Sequence, residues 1–330
     1  MSRRTRFLPP VRSWGKAYSR MFTSRRLWSK AVRHVLAVHG LSAGPIASTF
    51  PGSCPVFLVN AGRRPLLVKF YPPMCIRDWT TESAALDAVG RSGRPPVPGI
   101  VAHGVLCDRT RWPYLVLSPL AGRPLREVWR RIPIRDRLAI MTTAGRMLGA
   151  LHRIRPPRGV APLNLPKLAR EALHAYGKAG VFTPYLLREM RTHFRALGRS
   201  VAGSRRSLLH ADLNEDHVIV QLCGGRWRVT GFIDFGDAQT GDPLYEWMPS
   251  WYGLLAQDPA YFTAFRRGYR PRLVVTPAWR ERAAAFVLAH RFGPPTILRA
   301  LDQLGVRPLT LDWTALRDLI VPPALERRGR

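Results

Sequence analysis

Residues 208–246 read L-L-H-A-D-L-N-E-D-H-V-I-V, a Gly-Gly turn, then W-R-V-T-G-F-I-D-F-G-D-A-Q-T-G-D-P-L-Y-E. Two aspartates, Asp212 and Asp234, each stand beside a short run of β-formers, with a hairpin between them. Far upstream, Lys69 lies inside the apolar run L-L-V-K-F-Y, where a buried ammonium is costly unless an anion meets it. Glu82 follows on the next element. Transfer of a phosphoryl group from ATP asks a protein for positioning and charge stabilisation more than for covalent chemistry. It needs a lysine for the α- and β-phosphates, a carboxylate to hold that lysine, an aspartate to accept the hydroxyl proton, and ligands for Mg2+. The chain supplies candidates in that order: Lys69, Glu82, Asp212, the position of His217, and Asp234. Order and spacing together are far more specific than any single match.

The elements that must position these residues follow from the pattern. β-type runs at 45–50, 55–60, 65–71, 98–106 and 112–118, separated by Gly- and Pro-containing turns, predict a small antiparallel sheet. A helix beginning near Asp78 presents Ala84, Ala85, Leu86 and Val89 on one face and carries Glu82. The stretch Ser118-Pro119-Leu120-Ala121-Gly122 breaks the pattern as an interlobe linker would. Beyond it the chain turns helical. Leu138, Met141, Ala144, Leu148 and Leu151 recur at helical spacing, with further helices at 168–178 and 184–197. After Glu246 the pattern is helical to about 305, broken at 269–277 and 293–295, with a last helix at 313–320. The expected fold class is therefore α+β: residues 1–40 as a basic N-terminal extension, helical in part, 41–118 as a sheet lobe with one helix, and 119–330 as a larger helical lobe.

His210-Ala211-Asp212, Ile233-Asp234-Phe235-Gly236-Asp237 and Gly241-Asp242-Pro243-Leu244 resemble the motifs of the aminoglycoside phosphotransferase and choline kinase-like family, small-molecule kinases with a protein-kinase-like fold. The resemblance runs from about residue 41 to about 290. It implies a two-lobed kinase that binds ATP and Mg2+, with Ser118 and Leu120 of the linker meeting adenine through their backbone. It also implies that Lys69 and Glu82 steady the phosphates, Asp234 binds the metal, and Asp212 orients or deprotonates a hydroxyl on a small-molecule acceptor. Asp242 would cap the helix that starts at Pro243. The chain departs from the family at the second metal ligand, where His217 replaces the usual Asn five residues after Asp212. Mg2+ prefers hard oxygen donors. Either His217 coordinates through nitrogen, with Mn2+ tolerated, or Asn214, Asp216 or water fills the place, or the chain is a catalytically impaired, pseudokinase-like nucleotide-binding module.

Composition frames these readings. Lys and Arg total 52 against 21 Asp and Glu, a net charge of +31, and almost all the cations are arginine. Such a charge raises a nucleic-acid or anionic-surface partner as an alternative, centred on the basic N-terminus, although the arginines elsewhere form no single stripe. Within 28–39, Trp28, Ala31, Val32, Val35 and Leu36 fall on one helical stripe, which reads as an amphipathic helix on the domain surface. No apolar run reaches the roughly 18 residues of a membrane span, and no signal-peptide pattern opens the chain, so a cytoplasmic protein is expected. Cys54, Cys75, Cys107 and Cys223 lack metal-site spacing and read as apolar packing residues in a reducing compartment. His210 is expected to be structural, and Trp247, Trp251, Tyr252, Tyr261 and Phe262 to be helix packing.

Overall fold

The computed structural model describes residues 7–8, 20–62, 64–204, 206–270, 273–306 and 308–323. The chain divides into two units, one of residues 1–121 with 157–160 and 232–237, the other comprising the remainder.

The first unit is built on five antiparallel strands, β1 (Ile46–Phe50), β2 (Val56–Ala61), β3 (Arg64–Phe70), β4 (Gly99–Cys107) and β5 (Arg111–Ser118), in the order β1-β2-β3-β5-β4. The β-type runs of the sequence predict all five to within a residue at most ends. Alternation along β3 sends Leu66, Val68 and Phe70 to one face of the sheet. Helix α1 (Arg25–Val38) covers that face with Trp28, Ala31, Val32, Val35 and Leu36, all buried. Trp28 is fully enclosed, its ring centroid 4.8 Å from that of Phe70, 5.4 Å from Phe57 and 5.2 Å from Trp112. Its indole N–H donates to the Met21 carbonyl at 3.0 Å, so the polar edge of the largest core residue is satisfied. The apolar half of the basic N-terminal region is thus a layer of this unit's core. Lys69 belongs to the opposite set of β3 side chains. Helix α2 (Ile76–Ser92) brings Glu82 to it and ends at Gly93, whose φ of 70° suits the left-handed cap.

In the second unit β6 (Arg123–Pro124), β8 (Val218–Cys223) and β9 (Arg226–Phe232) form one small sheet. β7 (Ser207–Leu209) and β10 (Gln239–Gly241) form another. The longer helices among the described residues are α3 (Ile134–Leu151), α4 (Leu165–Ala179), α5 (Pro184–Val201), α6 (Pro259–Tyr269), α7 (Pro277–Ala289), α8 (Gly293–Gln303) and α9 (Trp313–Ile320). α3 and α6 cross at glycines: a Cβ added to Gly268 would lie 1.8 Å from the Thr142 carbonyl oxygen, and one on Gly145 would lie 2.1 Å from that of Phe265. No other residue permits that approach. The expected break at 293–295 is displaced to 290–292, because Pro294 and Pro295 occupy the first turn of α8, where a proline costs no hydrogen bond.

The aromatic set is packing, as expected: Trp247, Trp251, Tyr261 and Phe262 are buried, and half-buried Tyr252 donates its hydroxyl to the Ile320 carbonyl at 3.3 Å. Trp247 and Trp251 meet Phe262 edge-on at 5.3 and 5.8 Å. The cysteines divide. Cys54 and Cys75 are buried with their thiols hydrogen-bonded, whereas Cys107 and Cys223 are exposed at strand ends, against the expectation that all four pack. Among the described residues no helix is long and apolar enough to cross a membrane.

Candidate active site

The first unit assembles a carboxylate, an ammonium and a second carboxylate. Lys69 Nζ lies 2.7 Å from Glu82 Oε2 and 2.9 Å from Asp234 Oδ1. Burial works against the ammonium, but Asp234 and then Glu82 outweigh it and hold the Lys69 pKa well above its usual value. Glu82 is buried too, and desolvation raises its pKa even though Lys69 opposes the shift. The lysine stays charged, and the group as a whole has a carboxylate in excess. A third partner, Tyr71, is fully buried and donates its hydroxyl to Glu82 Oε2 at 2.6 Å. Burial first, and then the Glu82 charge, push the Tyr71 pKa well above 10.0, so this hydroxyl keeps its proton and remains a donor. Sequence reasoning missed Tyr71, although its place two residues after Lys69 in a β-run was a usable signal.

Asp234 departs from ordinary backbone geometry. Its φ is 64°, a left-handed conformation that costs a non-glycine residue roughly 1–2 kcal/mol. Its side chain retains 45% exposure while Lys69 holds one of its oxygens. Ser118 ends β5, and its hydroxyl accepts the Gly99 N–H at 3.0 Å. Leu120 follows, half-buried.

The second unit holds Asp212 in the loop after β7. Asn214 donates its amide to Asp212 Oδ1 at 3.2 Å and accepts the Asp216 N–H at 2.9 Å. His217 Nδ1 lies 2.6 Å from the Asp212 carbonyl oxygen. An acceptor there places the ring proton on Nδ1 and leaves Nε2 as the lone-pair nitrogen. Asp216 and Glu215 each pair with Arg126 at 2.7 Å. Of the sequence candidates for a metal ligand beside Asp212, the Asn214 side chain therefore already holds partners within this loop, and the Asp216 carboxylate holds Arg126 from outside it.

The loop itself is clamped at Ala211, whose φ is 65°. Buried Glu246 accepts the Ala211 N–H at 3.1 Å and, at closer range, the His210 N–H. His290 Nε2 lies 3.2 Å from the Ala211 carbonyl oxygen. Burial disfavours the Glu246 carboxylate, yet His152, His210 and the Ala211 amide together keep its pKa below the usual value. Neither Glu246 nor His290 is a sequence candidate. His210 is buried within the loop as expected of a structural residue. Asp242 accepts the Leu244 N–H at 2.9 Å and pairs with Arg282 at 2.5 Å, the cap the motif implies.

Among the described residues no three or more His, Cys, Asp or Glu side chains converge as a ready-made metal cage. The donor set nevertheless suits Mg2+, which binds through one or two carboxylates, waters and substrate phosphates in preference to an all-protein cage. Asp234 is such a carboxylate, hard, partly exposed and held in direction by Lys69.

An antiparallel five-stranded sheet bearing a lysine–glutamate pair, joined in one chain to a helical unit bearing an aspartate loop, defines the protein-kinase-like fold of the small-molecule phosphotransferases. The model of the phosphotransferase enzyme family (APH) matches residues 51–285, and the chain belongs to that family. Solved structures share the fold at low identity. The GDP complex of aminoglycoside 2'-phosphotransferase-IIIa is 15% identical, with a TM-score of 0.64 over 90% of this chain and 98% of that one. Aminoglycoside-3'-phosphotransferase of type VIII is 20% identical, with a TM-score of 0.54 over 79% and 97%. Spectinomycin phosphotransferase APH(9)-Ia, in complex with ADP and spectinomycin, is 11% identical, with a TM-score of 0.56 over 88% and 97%. No curated protein matches the chain.

Proposed function

We propose that the protein transfers the γ-phosphoryl group of ATP, with Mg2+, to a hydroxyl group of a small molecule. The observation that carries this reading is Lys69 held between Glu82 and Asp234 at 2.7 and 2.9 Å. A buried lysine so held keeps its proton and its direction, and the carboxylate left in excess on Asp234 calls for a further cation beside the phosphates. In this role Lys69 holds the α- and β-phosphates, Glu82 and Tyr71 fix the lysine, and Asp234 supplies a metal ligand. The metal, when bound, neutralises charge developing on the transferred group. Ser118 and Leu120 meet the adenine through their backbone.

Asp212 accepts the proton of the acceptor hydroxyl as its oxygen attacks phosphorus. The Asn214 amide on Oδ1 orients that carboxylate. His217 is the second metal ligand in this reading, through Nε2, a nitrogen donor that widens the tolerated metals towards Mn2+. The acceptor is a hydroxylated small molecule. The structural neighbours include complexes with kanamycin and with spectinomycin. Residues 244–330 of this chain, however, hold thirteen Arg against seven Asp and Glu, a balance that favours a neutral or anionic acceptor over a polycationic one.

Calorimetric titration with ATP and Mg2+ tests the nucleotide half. Wild-type protein is expected to bind, and Lys69→Met to lose at least about tenfold in affinity, as removal of a charge-assisted phosphate contact implies. Absence of binding by the wild type defeats the proposal.

A further inference from the structure

The residue before Asp212 is the least comfortable in its loop: Ala211 takes φ 65° without being glycine. Two side chains from distant parts of the second unit grip its two peptide groups. Glu246 takes the N–H on one side. On the other side stands His290, 79 residues away in sequence and 1% exposed, with Nε2 at 3.2 Å from the carbonyl oxygen. The Phe292 N–H donates to His290 Nδ1 at 3.2 Å. An N–H facing Nδ1 fixes the proton on Nε2, so His290 is a one-way donor to the Ala211 carbonyl. Its surroundings keep it in that neutral form, since burial lowers its pKa to about 3 against the pull of Glu246 and the Ala211 carbonyl. The Tyr245 ring lies over it at 4.1 Å and restricts its rotation.

We infer that His290 is a positioning residue for phosphoryl transfer: its Nε2–H fixes the Ala211–Asp212 peptide and thereby the direction from which the Asp212 carboxylate meets the acceptor. The carbonyl of Ala211 and the N–H of Asp212 belong to one planar peptide, so holding one end sets the ψ of Ala211 and the starting direction of Asp212. Within the loop His217 holds the Asp212 carbonyl oxygen, and the Asn214 amide on Oδ1 orients a carboxylate whose backbone is already placed. The consequence for catalysis rests on the phosphotransferase reading, whereas the consequence for the loop does not.

The test uses two substitutions that divide the ring's two functions. In His290→Gln the amide nitrogen occupies the place of Nε2 and can still donate to Ala211. In His290→Asn the shorter amide reaches only the place of Nδ1. Hydrogen–deuterium exchange of peptides spanning 208–217 reads the loop, and ATP hydrolysis without acceptor, with Mg2+, reads turnover. The asparagine variant is expected to exchange faster in 208–217 and to lose about 10- to 100-fold in kcat, the penalty of a small misplacement, while its KM for ATP stays within about twofold of wild type. The glutamine variant is expected to stay near wild type in both. If the two variants behave alike in loop exchange, the positioning role is overturned. If exchange separates them but kcat does not, the link to catalysis is overturned. A wild type that neither binds nor hydrolyses ATP defeats the phosphotransferase reading and leaves loop exchange to decide the role of His290.

Discussion

Tyr71→Phe removes one oxygen from the core of the first unit and leaves the ring that fills the space. In the wild type that oxygen donates to Glu82 Oε2 at 2.6 Å, with Tyr71 and Glu82 both buried. A hydrogen bond to an ionised partner contributes about 1.5–3 kcal/mol, whereas one between neutral groups contributes about 0.5–1.5 kcal/mol. The full loss of about 1.5–3 kcal/mol is therefore expected only while Glu82 is a carboxylate. At roughly 2–4 °C per kcal/mol, the wild type should melt about 3–12 °C above Tyr71→Phe at neutral pH. In a Glu82→Gln background the same substitution should cost only about 0.5–1.5 kcal/mol. Chemical denaturation of the four proteins, wild type, both single variants and the double variant, yields these numbers without assuming any activity. Equal losses in both backgrounds, or none in the wild type, would refute the assignment of Tyr71 as the donor that holds the lysine's carboxylate partner.

Three further outcomes follow from the same geometry. Trp28→Ala empties a site enclosed by Phe57, Phe70 and Trp112 and should destabilise the first unit by roughly 3–5 kcal/mol; a melting curve like the wild type's would show that α1 is dispensable. His290 resists protonation in the folded state to about pH 3, whereas in the unfolded chain it takes up a proton near its usual pKa of 6.5. The unfolded state then binds the extra proton below that pKa, so this residue's contribution to stability is complete above about pH 6.5 and declines as pH falls towards about 3. The stability difference between wild type and His290→Gln, measured by denaturation at several pH values, should shrink across that window, and a constant difference would contradict the buried neutral imidazole. His217→Asn replaces a nitrogen donor by an oxygen donor, so ATP affinity measured by calorimetry should shift in favour of Mg2+ over Mn2+; an unchanged ratio would remove His217 from the metal's coordination.

The sheet was legible because β-formers alternate between Gly- and Pro-rich turns, and that period assigns Lys69 to one face and Phe70 to the other. Lys69 stands out as a charge in an apolar strand, which either solvent at a sheet edge or an anion could resolve, and Glu82 and Asp234 supply the anions. The clamps on the loops were not legible. Glu246 and His290 reach Ala211 from 35 and 79 residues away, and nothing local in the sequence encodes such a contact. The left-handed backbone of Ala211 and Asp234 was equally hidden, since neither is glycine and residues distant in sequence bond to both. Asn214 and Asp216 illustrate a different limit: residue type made both fair candidates for a metal, but hydrogen bonds within the loop engage Asn214 and the distant Arg126 engages Asp216.

The central claim is phosphoryl transfer, and transfer of radiolabelled γ-phosphate from ATP and Mg2+ to a panel of hydroxylated small molecules measures it directly. Wild-type protein should label at least one member of the panel, and Asp212→Asn should reduce that rate by about 10²–10⁴ while binding ATP almost as well. Undiminished transfer by Asp212→Asn, or a wild type that neither binds ATP nor labels any acceptor, would contradict the account.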